Sequence, residues 1–198
     1  MILIASPFFS GNGYQGSYEM TNFKYEGDCM PNMDENSNKS AKFHFDNLFW
    51  DNPQAYEGIN LYQIGDLYCN GGFEIGEHVQ ECYEISYIVN GEGHYLTDGK
   101  SYKVKKGDIY VSLPYQKHNY IADKINPFRF FYLGFDFSNS DEKLDNFSHI
   151  QKMFDLIKNP VAEDKYKLHE GFTGILGEII NATVYSSIMI KNYLNQII

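Results

Sequence analysis

Between Ile59 and Phe137 the chain is a succession of short runs rich in β-branched and aromatic residues, each closed by a turn signal. Strands joined by turns this short have no room for a crossover, so they must pair antiparallel. The runs predict strands over residues 60–69, 72–75, 83–89, 94–96, 101–104, 108–113, 119–122 and 128–137. Asn90-Gly91, Asp98-Gly99 and Lys106-Gly107 supply turns between them, Asp-Gly being a pair that tolerates the positive φ of a tight hairpin. A mainly β sandwich or barrel over residues 46–138 follows.

The flanks have a different texture. Residues 1–58 are rich in Gly, Asn, Asp and Ser with scattered aromatics such as Phe8, Phe9, Trp50 and Tyr56, which predicts few regular elements and a true N-terminal arm over residues 1–45. After Phe137, Leu144, Phe147, Ile150, Phe154 and Ile157 recur at helical spacing until Pro160. From residue 167 to 198 apolar residues continue on more than one helical face, predicting one long helix with two surfaces to cover. The barrel is one. A helix from a second copy is the other, so residues 139–198 read as a helical dimerisation segment with Phe172, Ile175, Leu176 and Ile179 at a homodimer interface; a helix packed on its own barrel is the alternative.

A length of 198 residues suits one core plus appendages. No run approaches the roughly 18 consecutive apolar residues of a membrane span, and the opening Met-Ile-Leu-Ile-Ala lacks the basic region of a secretion signal. Cys29, Cys69 and Cys82 form no C-x-x-C pair, as expected of reduced thiols in a cytoplasmic protein. The net charge of −10, with lysines scattered, makes a poor nucleic-acid surface, because duplex affinity rests on neutralising phosphates. The chain stops in apolar helix at Ile197-Ile198 with no cap, the expected look of a piece of a longer protein.

Chemistry-bearing residues concentrate between Gly72 and His118. In an extended chain the side chains of His78, Gln80, Cys82 and Glu84 share one side, because strand period is two. Gly72 to Gly91 resembles the first cupin motif, G-x5-H-x-H-x3-E-x6-G, with Gln80 where the second His belongs. Gly107 to His118, "GDIYVSLPYQKH", resembles the second motif, with Tyr115 in place of its usual Gly. With the flanks included, "GEHVQECYEISYIVNGEGHYLTDGKSYKVKKGDIYVSLPYQKH" is similar to the sensor domain of arabinose-regulator (AraC) type transcription regulators.

That resemblance implies a cupin double-stranded β-helix, or jelly-roll barrel, followed by C-terminal α-helices that pair two copies. It implies a small effector, often a sugar, inside the barrel, and a separate helix-turn-helix segment, absent from this chain, that touches DNA. The arm over residues 1–45 would be a lid over the effector, with a merely mobile arm as the alternative. The implied ligand-binding set is His78, Gln80, Glu84 and His118, joined by the aromatics Tyr95 and Trp50, with Tyr62 and Tyr115 as further candidates. In metal-binding cupins the first four positions hold a divalent cation. An amide is a weaker ligand than imidazole, so no cofactor is expected, and polar pocket lining or plain packing are the competing roles. Arg129 is a candidate partner for an acidic ligand or a salt bridge, and Cys82 a small packing residue.

No G-x-S-x-G elbow, P-loop or G-x-G-x-x-G after a strand occurs, so an enzyme is not expected. The alternative is a stand-alone cupin metalloenzyme, a dioxygenase or isomerase, with His78, Glu84 and His118 on iron, manganese or zinc.

Overall fold

The computed structural model describes residues 41–138 and 145–198. Most of the expected arm, with Phe8, Phe9 and Cys29, and Leu144 of the expected first helix, lie outside the described residues. The strands are β1 (Ala41–Leu48), β2 (Gln54–Tyr56), β3 (Ile59–Cys69), β4 (Tyr83–Asn90), β5 (Glu92–Thr97), β6 (Lys100–Lys105), β7 (Asp108–Ser112), β8 (His118–Ala122), β9 (Arg129–Phe137) and β10 (Val161–Glu163). Helix α1 (Asp145–Asp155) precedes β10, and α2 (Leu168–Asn181) and α3 (Ser186–Ile197) follow it.

The chain is mainly β and antiparallel, as the turn-punctuated sequence requires. Strand β4 pairs with β9 and β5 with β8, a nested ladder whose tip is the β6–β7 turn. The ladder is rolled so that β4 also meets β7 and β5 also meets β6. This is the jelly-roll arrangement, with one sheet in the order β1-β3-β9-β4-β7-β10 facing a second in the order β6-β5-β8. At the β5–β6 turn Asp98 and Gly99 both have positive φ, 50° and 70°, the type I′ geometry expected of Asp-Gly.

The large sheet is apolar on both faces. Tyr83, Ile85 and Tyr87 of β4 and Phe131, Leu133 and Phe135 of β9 face outward, under Phe154, Phe172 and Ile175 of the helices. Ile88, Phe130 and Tyr132 face inward with Leu67, Tyr95, Tyr110, Tyr120 and Phe128. A strand covered on both sides must be apolar at every position, which is why β9 reads as an unbroken run and not as an alternation.

Four expectations are corrected. Residues 72–75 form no strand; Glu74 makes a single bridge to Ile121 at the edge of β8. The segment expected to lack regular structure contains β1 and β2, and β1 runs across the boundary placed at residue 45, with Phe43 packing on the inner cluster and Phe45 on the outer one across a bulge. Strand β10 adds to β7 after Pro160. The single helix expected over 167–198 is two helices. Ala182 at φ 29° ends α2, and Ser186 Oγ, which donates to Glu178 Oε2 at 2.7 Å and accepts from Thr183 N at 2.7 Å, closes the turn into α3. A side chain at Gly171 or Gly174 would collide with Ile197 or Tyr193, so these glycines let α3 fold back closely on α2.

That reversal changes the reading of the apolar helix faces. Phe172 and Ile175 are fully buried and Leu176 nearly so, in the chain's own outer core, and Ile179 is half-buried against it. These four residues cover the barrel. On α2, α3 and the turn between them, the large apolar side chains left in solvent are Ile180, Val184, Tyr185 and Ile188. Among the described residues no helix is long and apolar enough to cross a membrane.

Candidate ligand-binding site

Strand alternation on β4 sends Glu84, Ser86 and Ile88 into the barrel, between the two sheets. Glu84 is 4% exposed, and its carboxylate is held by three uncharged donors. Gln63 Nε2 donates to Oε2 at 3.1 Å, Gln80 Nε2 to Oε2 at 2.9 Å, and Ser86 Oγ to Oε1 at 3.2 Å. Gln63 reaches it from β3 because a bulge between Leu61 and Gln63 turns it inward and Gly134, opposite, has no side chain to block it.

His78 and His118 enter from the second sheet. Their backbones form a reciprocal bridge, N to O at 3.0 Å in both directions, and their rings lie 4.3 Å apart. His78 Nδ1 is 2.9 Å from the Gly76 carbonyl and His118 Nδ1 is 2.9 Å from the Gln116 carbonyl. A carbonyl only accepts, so each Nδ1 carries a proton, and in a neutral imidazole Nε2 is then the acceptor. Among the described residues the buried Nε2 of His118 has no hydrogen-bond partner. Burial pushes the His118 imidazole below its ordinary pKa and His78 adds to this, while Glu84 pulls the other way.

The four residues of the double motif therefore come together, though not on one extended strand. His78 belongs to the edge of the second sheet and Glu84 to the first, and the bend at residues 81–82 folds one toward the other. His78 and Gln80 are partly exposed, whereas Glu84 and His118 are buried. Tyr95 lines the wall, fully buried, stacked on Tyr110 at 4.5 Å and sharing a hydrogen bond with Ser112 Oγ at 3.0 Å. The Tyr110 hydroxyl is buried beside Ser86.

Other candidates fall elsewhere. Trp50 packs on Tyr62 at 5.3 Å, away from the imidazole pair. Tyr115 is 70% exposed and holds φ 62°, the left-handed conformation for which the cupin pattern supplies Gly; its backbone N donates to Gln80 O at 2.7 Å. Arg129 is engaged by Asp66 through two bonds of 2.8 and 2.5 Å. Cys82 is buried beside Gln80, 3.9 Å from its Oε1, and burial raises its thiol pKa far out of the reactive range. A cleft of about 60 Å³ on the outside of the barrel, between the Asp98 turn, Gln116 and Pro160, includes none of the motif residues.

Gln63, Ser112 and Tyr110 were not legible as site residues. Ser86 was, in principle, because a small polar residue two positions from Glu84 in an otherwise apolar strand marks a polar strip on its inner face.

A divalent metal ion does not fit this donor set. Both carboxylate oxygens of Glu84 already accept hydrogen bonds, Gln80 turns its N–H toward Glu84, and among the described residues no three His, Cys, Asp or Glu side chains are grouped to hold an ion.

A barrel of this topology with a polar, partly unsatisfied interior has the form of a small-molecule sensor, and the model of the AraC-like ligand binding domain matches residues 60–182. The chain belongs to this family. The matched stretch of the AraC-like domain runs from β3 through α2 and so includes every motif residue. No curated protein matches the chain. Among solved structures, the AraC-like domain is similar to KdgF from Halomonas sp., at 17% identity over 41% of this chain and 82% of that one, with a TM-score of 0.34. A predicted oxalate decarboxylase from Thermotoga maritima has 25% identity over 39% and 68%, TM-score 0.35. A conserved protein of unknown function from Streptococcus pyogenes has 14% identity over 56% and 96%, TM-score 0.36. None of these overlaps is close enough to bring a reaction or substrate to this chain.

Proposed function

We propose that the chain is the effector-binding and dimerisation domain of an AraC-type transcription regulator. A small molecule enters past His78 and Gln80 and is held over Glu84 and His118. The observation that carries this reading is the buried Nε2 of His118, unpartnered among the described residues. An unsatisfied buried polar atom costs about 1–3 kcal/mol, a cost that a ligand donating a hydrogen bond removes on binding. A sugar is one effector class for such a site. DNA contact is assigned to a helix-turn-helix segment outside this chain, and the setting to the cytoplasm, where the buried thiols of Cys69 and Cys82 stay reduced.

Homodimerisation is assigned to the exposed Ile180, Val184, Tyr185 and Ile188 in place of the four residues that cover the barrel. Binding can bias such a pair of domains only through a difference in effector affinity between two arrangements.

Native mass spectrometry of the purified chain tests the reading. The expected spectrum is a metal-free dimer, with any retained small molecule lost in His118→Phe. A stoichiometric metal ion on each chain would overturn it in favour of a metalloenzyme.

A further inference from the structure

The polar groups of the barrel interior are unevenly divided between donors and acceptors. Most of the donors are already engaged, the Tyr110 hydroxyl apart. Gln63 Nε2, Gln80 Nε2 and the Ser86 hydroxyl all point at Glu84, and the Tyr95 hydroxyl is engaged by Ser112 and the Val111 carbonyl. What remains open is mainly acceptor capacity: the Nε2 atoms of His78 and His118 in their neutral form, and the remaining lone pairs of Glu84.

Charge is unbalanced in the same sense. Glu84 forms no ion pair among the described residues, while the other deeply buried carboxylate of the large sheet, Asp66, has Arg129. Burial disfavours the charged form of His118. No Lys or Arg is buried among the described residues. The walls are aromatic, with Tyr95, Tyr110, Tyr120 and Phe130 around the imidazole pair, and Tyr120 meets His78 edge-on at 6.4 Å.

We infer that the molecule this barrel takes carries a primary ammonium group, which docks its N–H bonds on the Nε2 atoms of His78 and His118 and its charge against Glu84. The inference rests on the barrel interior being the effector site. An alkylammonium has three donors and no acceptor, so it matches a site whose open groups are mainly acceptors. It also supplies the missing countercharge in a low-dielectric site with aromatic faces. A neutral sugar hydroxyl brings lone pairs that find few free donors, and a carboxylate adds a second negative charge beside Glu84.

The test uses the whole chain with ethylamine, ethylene glycol and propionate as probes of similar size. Histidine side-chain NMR follows the Nε2 resonances of His78 and His118. The expected result is saturable displacement of both signals by ethylamine, and none by the other two. Glu84→Gln keeps the shape and an acceptor for the two amide donors, and is expected to weaken ethylamine by about tenfold or more. Gln80→Glu, which adds a carboxylate at a partly exposed position, is expected to tighten it, a gain that damage to the fold would not produce. Saturation by ethylene glycol alone would overturn the amine and leave the effector site in place. Saturation by propionate, or an unchanged ethylamine affinity in Glu84→Gln, would overturn the charge argument. Failure of every probe to move either signal would overturn both the amine and the site.

Discussion

Replacing Phe172 by Ala separates a helix that belongs to the barrel from one that belongs to a partner. Phe172 is fully buried on α2, with its ring stacked on Phe131 at 5.8 Å and tilted against Tyr87 at 6.4 Å. Truncation removes a whole aromatic side chain between two β-sheet residues that cannot move in to close the gap. Such cavities cost about 3–5 kcal/mol. For a chain of this size each kcal/mol lowers Tm by roughly 2–4 °C, so a drop of about 10 °C is expected. Urea unfolding followed by far-ultraviolet circular dichroism should show a lower midpoint at an unchanged m-value. Sedimentation velocity below the transition should show the same assembly as the parent chain. If Phe172→Ala instead dissociated the protein and left the unfolding midpoint in place, α2 would be an interface helix and the assignment to the outer core would be wrong.

Three further outcomes are expected. Val184→Glu and Ile188→Glu, at side chains 87% and 60% exposed, should leave the chain folded, shift sedimentation to monomer and remove the dependence of Tm on protein concentration that a dimer gives; a surviving dimer would place the interface elsewhere. Tyr115→Gly relieves a left-handed φ of 62° and should stabilise the chain by about 0.5–1 kcal/mol, whereas a loss of stability would mean the exposed ring makes a contact of value. Because burial holds His118 below its ordinary pKa, the unfolded chain binds its proton first. Stability is full above about pH 6.5 and falls with acid, by up to about 1.4 kcal/mol per pH unit from this group, until the folded pKa is reached. Urea unfolding from pH 7.5 to 5.5 should show a shallower decline in His118→Gln, and equal slopes would exclude the group.

The order of strands and the motif residues were readable from the chain because they rest on local rules. Asp98-Gly99 dictates its own turn, and Glu84 and Ser86 share a face by strand alternation alone. Tertiary structure decided what depends on distant partners. Ala41–Leu48 is a strand because β3 offers it an edge, in a stretch whose own composition suggests none. Gln63 joins Glu84 because a one-residue bulge on β3 reverses its side and Gly134 clears its path. Apolar periodicity identified Phe172, Ile175 and Leu176 as buried, but periodicity carries no label for the surface that buries them. The turn at residues 182–185 folded α3 back over α2, gave those side chains to the chain's own barrel, and left Ile180, Val184, Tyr185 and Ile188 in solvent.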